Sequence, residues 1–200
     1  MKQKIFSTLM ITSLAILSFC ETSMGARIIN TNNFNNEQFQ ASLYYLNKIR
    51  FTQDKKVLNI GYGQEDLNAY IARNYVSKGC IIGIDPNEKN IKKAAQDYSG
   101  IKNLHMIHMD ALCFDFNKNL DIIICPFSEE WTYDINTMSM IITNVTRSLK
   151  SKGKFYLWLD DSNDNCSLIV AALVDSNDYS QVTYKQNSKK KTYAIKATKK

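Results

Sequence analysis

The chain has 200 residues, 44% hydrophobic and 22% charged, which suits one α/β domain with a sizeable core. Its formal charge is +6, but 21 lysines accompany 20 asparagines and only four arginines, a bias that reads as codon composition and argues against a dedicated nucleic-acid surface. The densest basic run, Lys189-Lys190-Lys191, falls between two predicted strands, where a solvated hairpin tip accounts for it.

The first element is a leader. Lys2 and Lys4 precede an apolar run from Ile5 to Cys20, and Ser23-Met24-Gly25 follows. A basic start, an apolar stretch and small residues at −3 and −1 describe a secretory signal peptide over residues 1–25, cleaved after Gly25. The run is short for a membrane span and is interrupted by serines and threonines, so no stable span is expected after cleavage. The alternative is an uncleaved N-terminal anchor. A lipoprotein site at Cys20 fails because Phe19 is too bulky at −1. Once Cys20 has left, Cys80, Cys113, Cys125 and Cys166 remain; none has CxxC spacing, and free thiols are expected.

Residues 26–36 are polar, Asn-rich and read as a linker. The domain then runs over 37–200. Phe39, Leu43, Leu46 and Ile49 recur at helical spacing, giving an amphipathic helix. Lys56 to Ile60 is the first strand. A helix is expected over Asp66 to Lys78, stopped by Gly79. Cys80 to Ile84 is the second strand, Glu88 to Tyr98 a helix, and Leu104–Met109 and Asp121–Cys125 two further strands. A helix starts at Asn136 or Thr137 and runs through Leu149, followed by a turn and a fifth strand, Phe155 to Leu159. Ser167–Val174 is a short helix, and Gln181–Gln186 with Thr192–Ala197 forms a hairpin. Strands alternating with helices imply an α/β fold: a doubly wound, mostly parallel seven-stranded sheet closed by a C-terminal antiparallel hairpin.

The chemistry concentrates where the first two strands end. Val57-Leu58-Asn59-Ile60 runs into Gly61-Tyr62-Gly63, so the backbone can turn sharply and approach a ligand. Cys80-Ile81-Ile82-Gly83-Ile84 ends in Asp85, a carboxylate placed to accept hydrogen bonds from ribose hydroxyls. The pair points to a nucleoside ligand. A dinucleotide fingerprint would need glycine at position 66, and Asp66 there would repel a pyrophosphate at the helix start.

With these segments the chain resembles the class I S-adenosylmethionine-dependent methyltransferases, whose first motif carries an acid and three glycines. Ile82-Gly83-Ile84-Asp85-Pro86 is similar to the second motif. His108-Met109-Asp110-Ala111-Leu112 is similar to the segment beside the adenine. Leu120 to Phe127 is similar to the fourth strand, and Leu149 to Leu157 to the helix–turn–strand that follows. The segments Gln38–Leu46 and Ser128–Trp131 look most like the trans-aconitate methyltransferase branch. The resemblance implies S-adenosylmethionine as cofactor, with Asn59, Gly61, Tyr62, Gly63, Glu65, Asp85, Pro86, Asp110, Ala111 and Cys125 around it.

Two positions depart from the family pattern. Asn59 stands where the first motif has an acid; it accepts a hydrogen bond but offers no charge to a cationic methionine moiety. Glu65 stands where the third glycine belongs, and its carboxylate either pairs with the cofactor's amino group or fills the pocket. After the fourth strand, Glu129, Glu130 and Tyr133 are the candidates for a general base or positioning group, against a solvated acidic loop. Cys125-Pro126-Phe127 lacks the Asn/Asp-Pro-Pro-Tyr/Phe pattern of amino-group methyltransferases.

No metal is expected. His105 and His108 lie three apart on a strand and point to opposite faces. Asp160, Asp161 and Asp164 read as an Asn/Asp-rich loop before they read as a cation site.

The expected protein is an exported methyltransferase acting on a small acid or hydroxyl compound. The alternative is an inactive binding or accessory protein on the same fold. Export conflicts with a cofactor made in the cytosol, and the sequence leaves that conflict open.

Overall fold

The computed structural model describes residues 37–61, 65–126, 135–160, 166–187 and 192–200. Twelve elements follow in chain order: α1 (Glu37–Leu46), β1 (Lys56–Ile60), α2 (Glu65–Asn74), β2 (Cys80–Asp85), α3 (Glu88–Asp97), β3 (Leu104–His108), β4 (Leu120–Pro126), α4 (Ile135–Ser148), β5 (Leu149–Asp160), α5 (Cys166–Asp175), β6 (Tyr179–Asn187) and β7 (Thr192–Lys199). The strands form one sheet in the order β3-β2-β1-β4-β5-β7-β6. Strands β1 to β5 are parallel neighbours, and β7 runs antiparallel between β5 and β6. This is the doubly wound sheet with a terminal hairpin that the element pattern implies.

Alternation along each strand builds two cores. On one face Val57, Ile81, Ile122, Ile124 and Trp158 meet Phe39 and Leu46 of α1 and Leu67 and Ile71 of α2. On the other face Leu58, Ile60, Ile82, Ile123, Leu157 and Ile195 meet Met138, Ile141 and Val145 of α4 and Ile169 and Leu173 of α5. Residues 56–60 read KVLNI, and only Lys56 is not fully buried. Covering the sheet by helices on both faces explains why strands β1, β2 and β4 are apolar runs without a polar side.

Three expectations are corrected. Helix α2 ends at Asn74, not at Lys78, and Gly79 is not its stop. Gly79 is needed because a Cβ there would lie 2.0 Å from the Lys55 carbonyl oxygen, where the chain crosses itself before β2. The turn expected after Leu149 is absorbed into β5 as an irregularity: Leu120 pairs with Leu149 and Ile122 with Lys154, with Lys152 at a φ of 63° between them. Finally, Cys113, Cys125 and Cys166 are free thiols, but Cys80 is disulfide-bonded. No spacing pattern in the sequence signals that bond.

Candidate functional site

Parallel strands place their carboxyl ends along one edge of the sheet, where open α/β folds bind ligands. Asn59 pairs with Gly83, and Ile60 with Ile84, so Gly61 and Asp85 emerge side by side. The Gly61 amide donates to the Ile84 carbonyl at 3.2 Å, and Gly61 has a φ of 77°. A side chain at Gly61 would be strained, so glycine is what lets β1 turn here. From β3, the Met109 amide donates to the Asp85 carbonyl at 3.1 Å and brings Asp110 alongside.

Asn59 is 1% exposed. Its Nδ2 donates to Oδ1 of Asn68 in α2 at 2.8 Å, and its own Oδ1 has no partner. A buried acceptor left unpaired costs about 1–3 kcal/mol, so this oxygen is poised for a donor. Asn68 is fully buried, and its amide sits where a Cβ of Gly83 would be, 2.4 Å from it. Asn68 is the residue that sequence reasoning missed. Its signal was there: a polar residue next to Leu67, on the inward side of an amphipathic helix.

Asp85 is 6% exposed. Its Oδ1 accepts from the Asn87 amide at 2.6 Å, and the Asn90 side chain lies 3.4 Å from both carboxylate oxygens. Asp85 thus helps to start α3, which Asn87 caps through the Lys89 amide. A carboxylate offers about four acceptor sites, so capacity remains for a ligand. Asp110 is exposed and accepts from the Leu112 amide at 2.8 Å.

The other expected contacts divide. Pro86 is exposed, and its carbonyl accepts from His108 Nε2 at 2.8 Å. Ala111 and Cys125 are buried in the core beneath α4, so their side chains do not face the edge, and the Ala111 carbonyl accepts from Asn144 Nδ2 at 3.1 Å. Tyr62, Gly63, Glu129, Glu130 and Tyr133 lie outside the described residues, as do Asp161 and Asp164. Glu65 opens α2, but its side chain is outside the described part. His105 and His108 stand on opposite sides of β3; burial lowers the His105 imidazole below its ordinary value.

A family model described as "Methyltransferase domain" matches residues 57–153, from β1 to the irregularity in β5. That span contains the glycine turn, Asp85 and Asp110. Over that span the chain is similar to a methyltransferase domain. A protein of Invertebrate iridescent virus 6, named as a methyltransferase (235L), is 28% identical over 156 residues. That match covers 78% of this chain and 51% of the viral protein, so the chain spans about half the length of its curated relative. Among solved structures, a TehB-like methyltransferase from Corynebacterium glutamicum superposes with a TM-score of 0.65 at 13% identity, covering 85% of this chain and 91% of that one. A methyltransferase from Aquifex aeolicus gives a TM-score of 0.63 at 15% identity, over 79% of this chain and 89% of that one. At such identities these two establish the fold.

S-adenosylmethionine is the cofactor that the matched domain and the similar structures imply, and the described residues of this chain fit it. Asn59 Oδ1, Asp85 and Asp110 are acceptors, and among the described residues no lysine or arginine directly follows β1, β2 or β4. That donor-poor edge suits a ligand carrying ribose hydroxyls, an ammonium and a sulfonium, and it would not hold a pyrophosphate.

Proposed function

We propose that the chain transfers a methyl group from S-adenosylmethionine to a small acid or hydroxyl compound. The observation that carries this reading is the buried, unpaired Oδ1 of Asn59 beside the Gly61 turn and Asp85. In it, Asp85 accepts from the ribose hydroxyls, Asp110 stands beside the adenine, and Asn59 Oδ1 accepts from the methionine ammonium. Bound cofactor supplies an activated methyl group on a sulfonium leaving group, so the protein's part is to align the acceptor and remove its proton. Glu129, Glu130 and Tyr133, which follow β4 in the sequence, are our candidates for that base.

The acceptor class rests on two features. The chain lacks the Asn/Asp-Pro-Pro-Tyr/Phe pattern after β4, which takes support from amines. Among the described residues no insertion builds a separate substrate domain, which favours small acceptors. We also assign residues 1–25 to a signal peptide, with Ala26 as the mature N-terminus. This reading requires a Cys80 without its disulfide in the mature protein, because Cys20 is the one other cysteine that is not a free thiol. N-terminal sequencing of exported protein with a thiol count reads both.

Thermal shift tests the cofactor. At a hundredfold excess over its dissociation constant, S-adenosylmethionine should stabilise the protein by about 2.7 kcal/mol, and NAD should not. Release of S-adenosylhomocysteine across panels of carboxylic acids, phenols and amines then reads the acceptor. A flat melting curve with saturating cofactor removes the enzyme reading, and turnover confined to amines removes the acceptor class.

A further inference from the structure

Helix α1 separates the cofactor edge from a groove on the same face of the sheet. On its inner side Phe39 packs against Tyr70 of α2 with ring centroids 6.1 Å apart, and Tyr45 stacks on Trp158 of β5 at 5.5 Å. The Tyr45 hydroxyl hydrogen-bonds to Thr192 and pins the helix to the hairpin. Beyond α1 the strands β5, β7 and β6 continue, and between them and the helix lies a cavity of about 680 Å³. That volume is in the range of sites for small organic ligands. None of the residues assigned to the cofactor lines it.

Its walls combine aromatic rings with cationic side chains. Tyr44, Tyr45, Tyr156 and Trp158 supply the rings. Lys48, Lys185 and Lys196 supply charge, and no aspartate or glutamate lines the groove. The three lysines come from three places: the turn after α1, β6 and β7. Register puts Thr183 opposite Lys196 and Lys185 opposite Ala194, so both sheet lysines stand on the face toward α1. Tyr44 and Lys48 are one helical turn apart, with the Lys48 ammonium 3.7 Å from the Tyr44 ring centre. Among the described residues none of these lysines forms an ion pair, whereas Lys55 and Lys150 both engage Asp121. The Tyr44 hydroxyl sits below its ordinary pKa because of its hydrogen bond to Lys48, with Lys185 adding to the positive field.

We infer that this groove is a second binding site, for a small amphipathic anion with a flat aromatic body and a carboxylate or sulfonate. The rings offer stacking and apolar area to the body. Lys48, Lys185 and Lys196 line the groove, where an anionic group meets positive charge with no lining carboxylate. A compact cavity with deeply buried Tyr156 and Trp158 suits a small molecule better than a nucleic-acid strand, which needs exposed rings for successive bases.

The test uses 8-anilinonaphthalene-1-sulfonate on the full chain, with N-phenyl-1-naphthylamine as the same ring system lacking the sulfonate. The sulfonate probe should bind saturably at one site per chain. Replacing Lys48→Ala, Lys185→Ala and Lys196→Ala together should weaken it by about tenfold while the naphthylamine is unaffected. Lys185→Gln alone, on an exposed strand, should weaken it by roughly threefold and serves if the triple variant does not fold. Saturating S-adenosylmethionine should leave the probe bound, so this result stands or falls apart from the methyl-transfer reading. Equal sulfonate affinity in the variants overturns the inference. So does displacement by the cofactor, which places the probe at the edge, or displacement by a thymidine octanucleotide, which makes the groove a nucleic-acid surface.

Discussion

The Asn59 amide donates to Asn68 Oδ1 at 2.8 Å, and the Asn68 amide in turn occupies the space that a Cβ at Gly83 would need. Three residues on β1, α2 and β2 are thereby fitted to one another. The family's acid at position 59 is replaced by a group that keeps one acceptor free and commits its other end to the helix. The substitution therefore changes the charge of the site without removing an acceptor from it.

Asn59→Asp should separate these two roles. A carboxylate there gives the methionine ammonium a charged partner, and S-adenosylmethionine should bind more tightly by about 1–3 kcal/mol in titration calorimetry. The free protein should lose about 1–3 kcal/mol of stability at neutral pH, because a buried carboxylate replaces a neutral amide and Asn68 must turn to donate. Unchanged cofactor affinity would place the ammonium away from residue 59.

Two glycines offer a matched pair for urea unfolding. Gly79→Ala drives a Cβ into the Lys55 carbonyl, a backbone atom that cannot step aside, and should cost about 3 kcal/mol or more. Gly100→Ala meets nothing within 4 Å and has no left-handed φ, so it should be stabilising by about 0.4–1 kcal/mol through the unfolded chain. If both variants unfold at the same urea concentration, the crossing of residues 55 and 79 does not constrain the fold.

Much of this arrangement is legible before any coordinates. The runs at Val57, Ile81 and Ile122 are apolar on both sides because both sheet faces are covered, and Gly61 and Asp85 follow from where those runs stop. What stayed hidden depends on neighbours distant in sequence. Gly79 resembles a helix stop until the Lys55 carbonyl is seen beside it. Asn68 resembles a blemish in an amphipathic helix until Asn59 is seen opposite. Tyr44 and Lys48 look like a solvated helix face, since nothing local indicates that β6 and β7 return to face them.

Acid sensitivity should trace in part to His105. Burial lowers its folded pKa below the ordinary imidazole value of 6.5, which favours the neutral form in the native state. The unfolded chain then binds the proton more readily, and stability falls as pH drops through 6.5 toward the folded value. His105→Gln should flatten the melting temperature between roughly pH 7.5 and 5.5, a window above carboxylate titration. An unchanged slope would assign the acid response to other groups.

Asp85→Ala should weaken S-adenosylmethionine by about 1–3 kcal/mol, the range for losing a charged acceptor to ribose hydroxyls. It should also lower stability, because the Asn87 amide loses its acceptor at 2.6 Å. Calorimetry and thermal melting separate the effects. A stability loss with undiminished affinity would reduce Asp85 to an organiser of the start of α3.

Glu65→Gly decides what the departure at the third glycine does. Glu65 is the first residue of α2, next to the glycine turn. If its carboxylate pairs with the cofactor's ammonium, removing it should weaken S-adenosylmethionine by about 1–3 kcal/mol, the range for a charge-assisted hydrogen bond. If it obstructs the site, the glycine variant should bind more tightly despite the entropy cost of glycine near a helix start. The expected sign is weakening, because the rest of the edge has kept its acceptors: Asn59 Oδ1 is unpaired and Asp85 has room for further donors. A site blocked by one side chain would have no reason to hold a buried polar oxygen open. Tighter binding by the glycine variant would instead mark Glu65 as the change that closed an ancestral methyltransferase site.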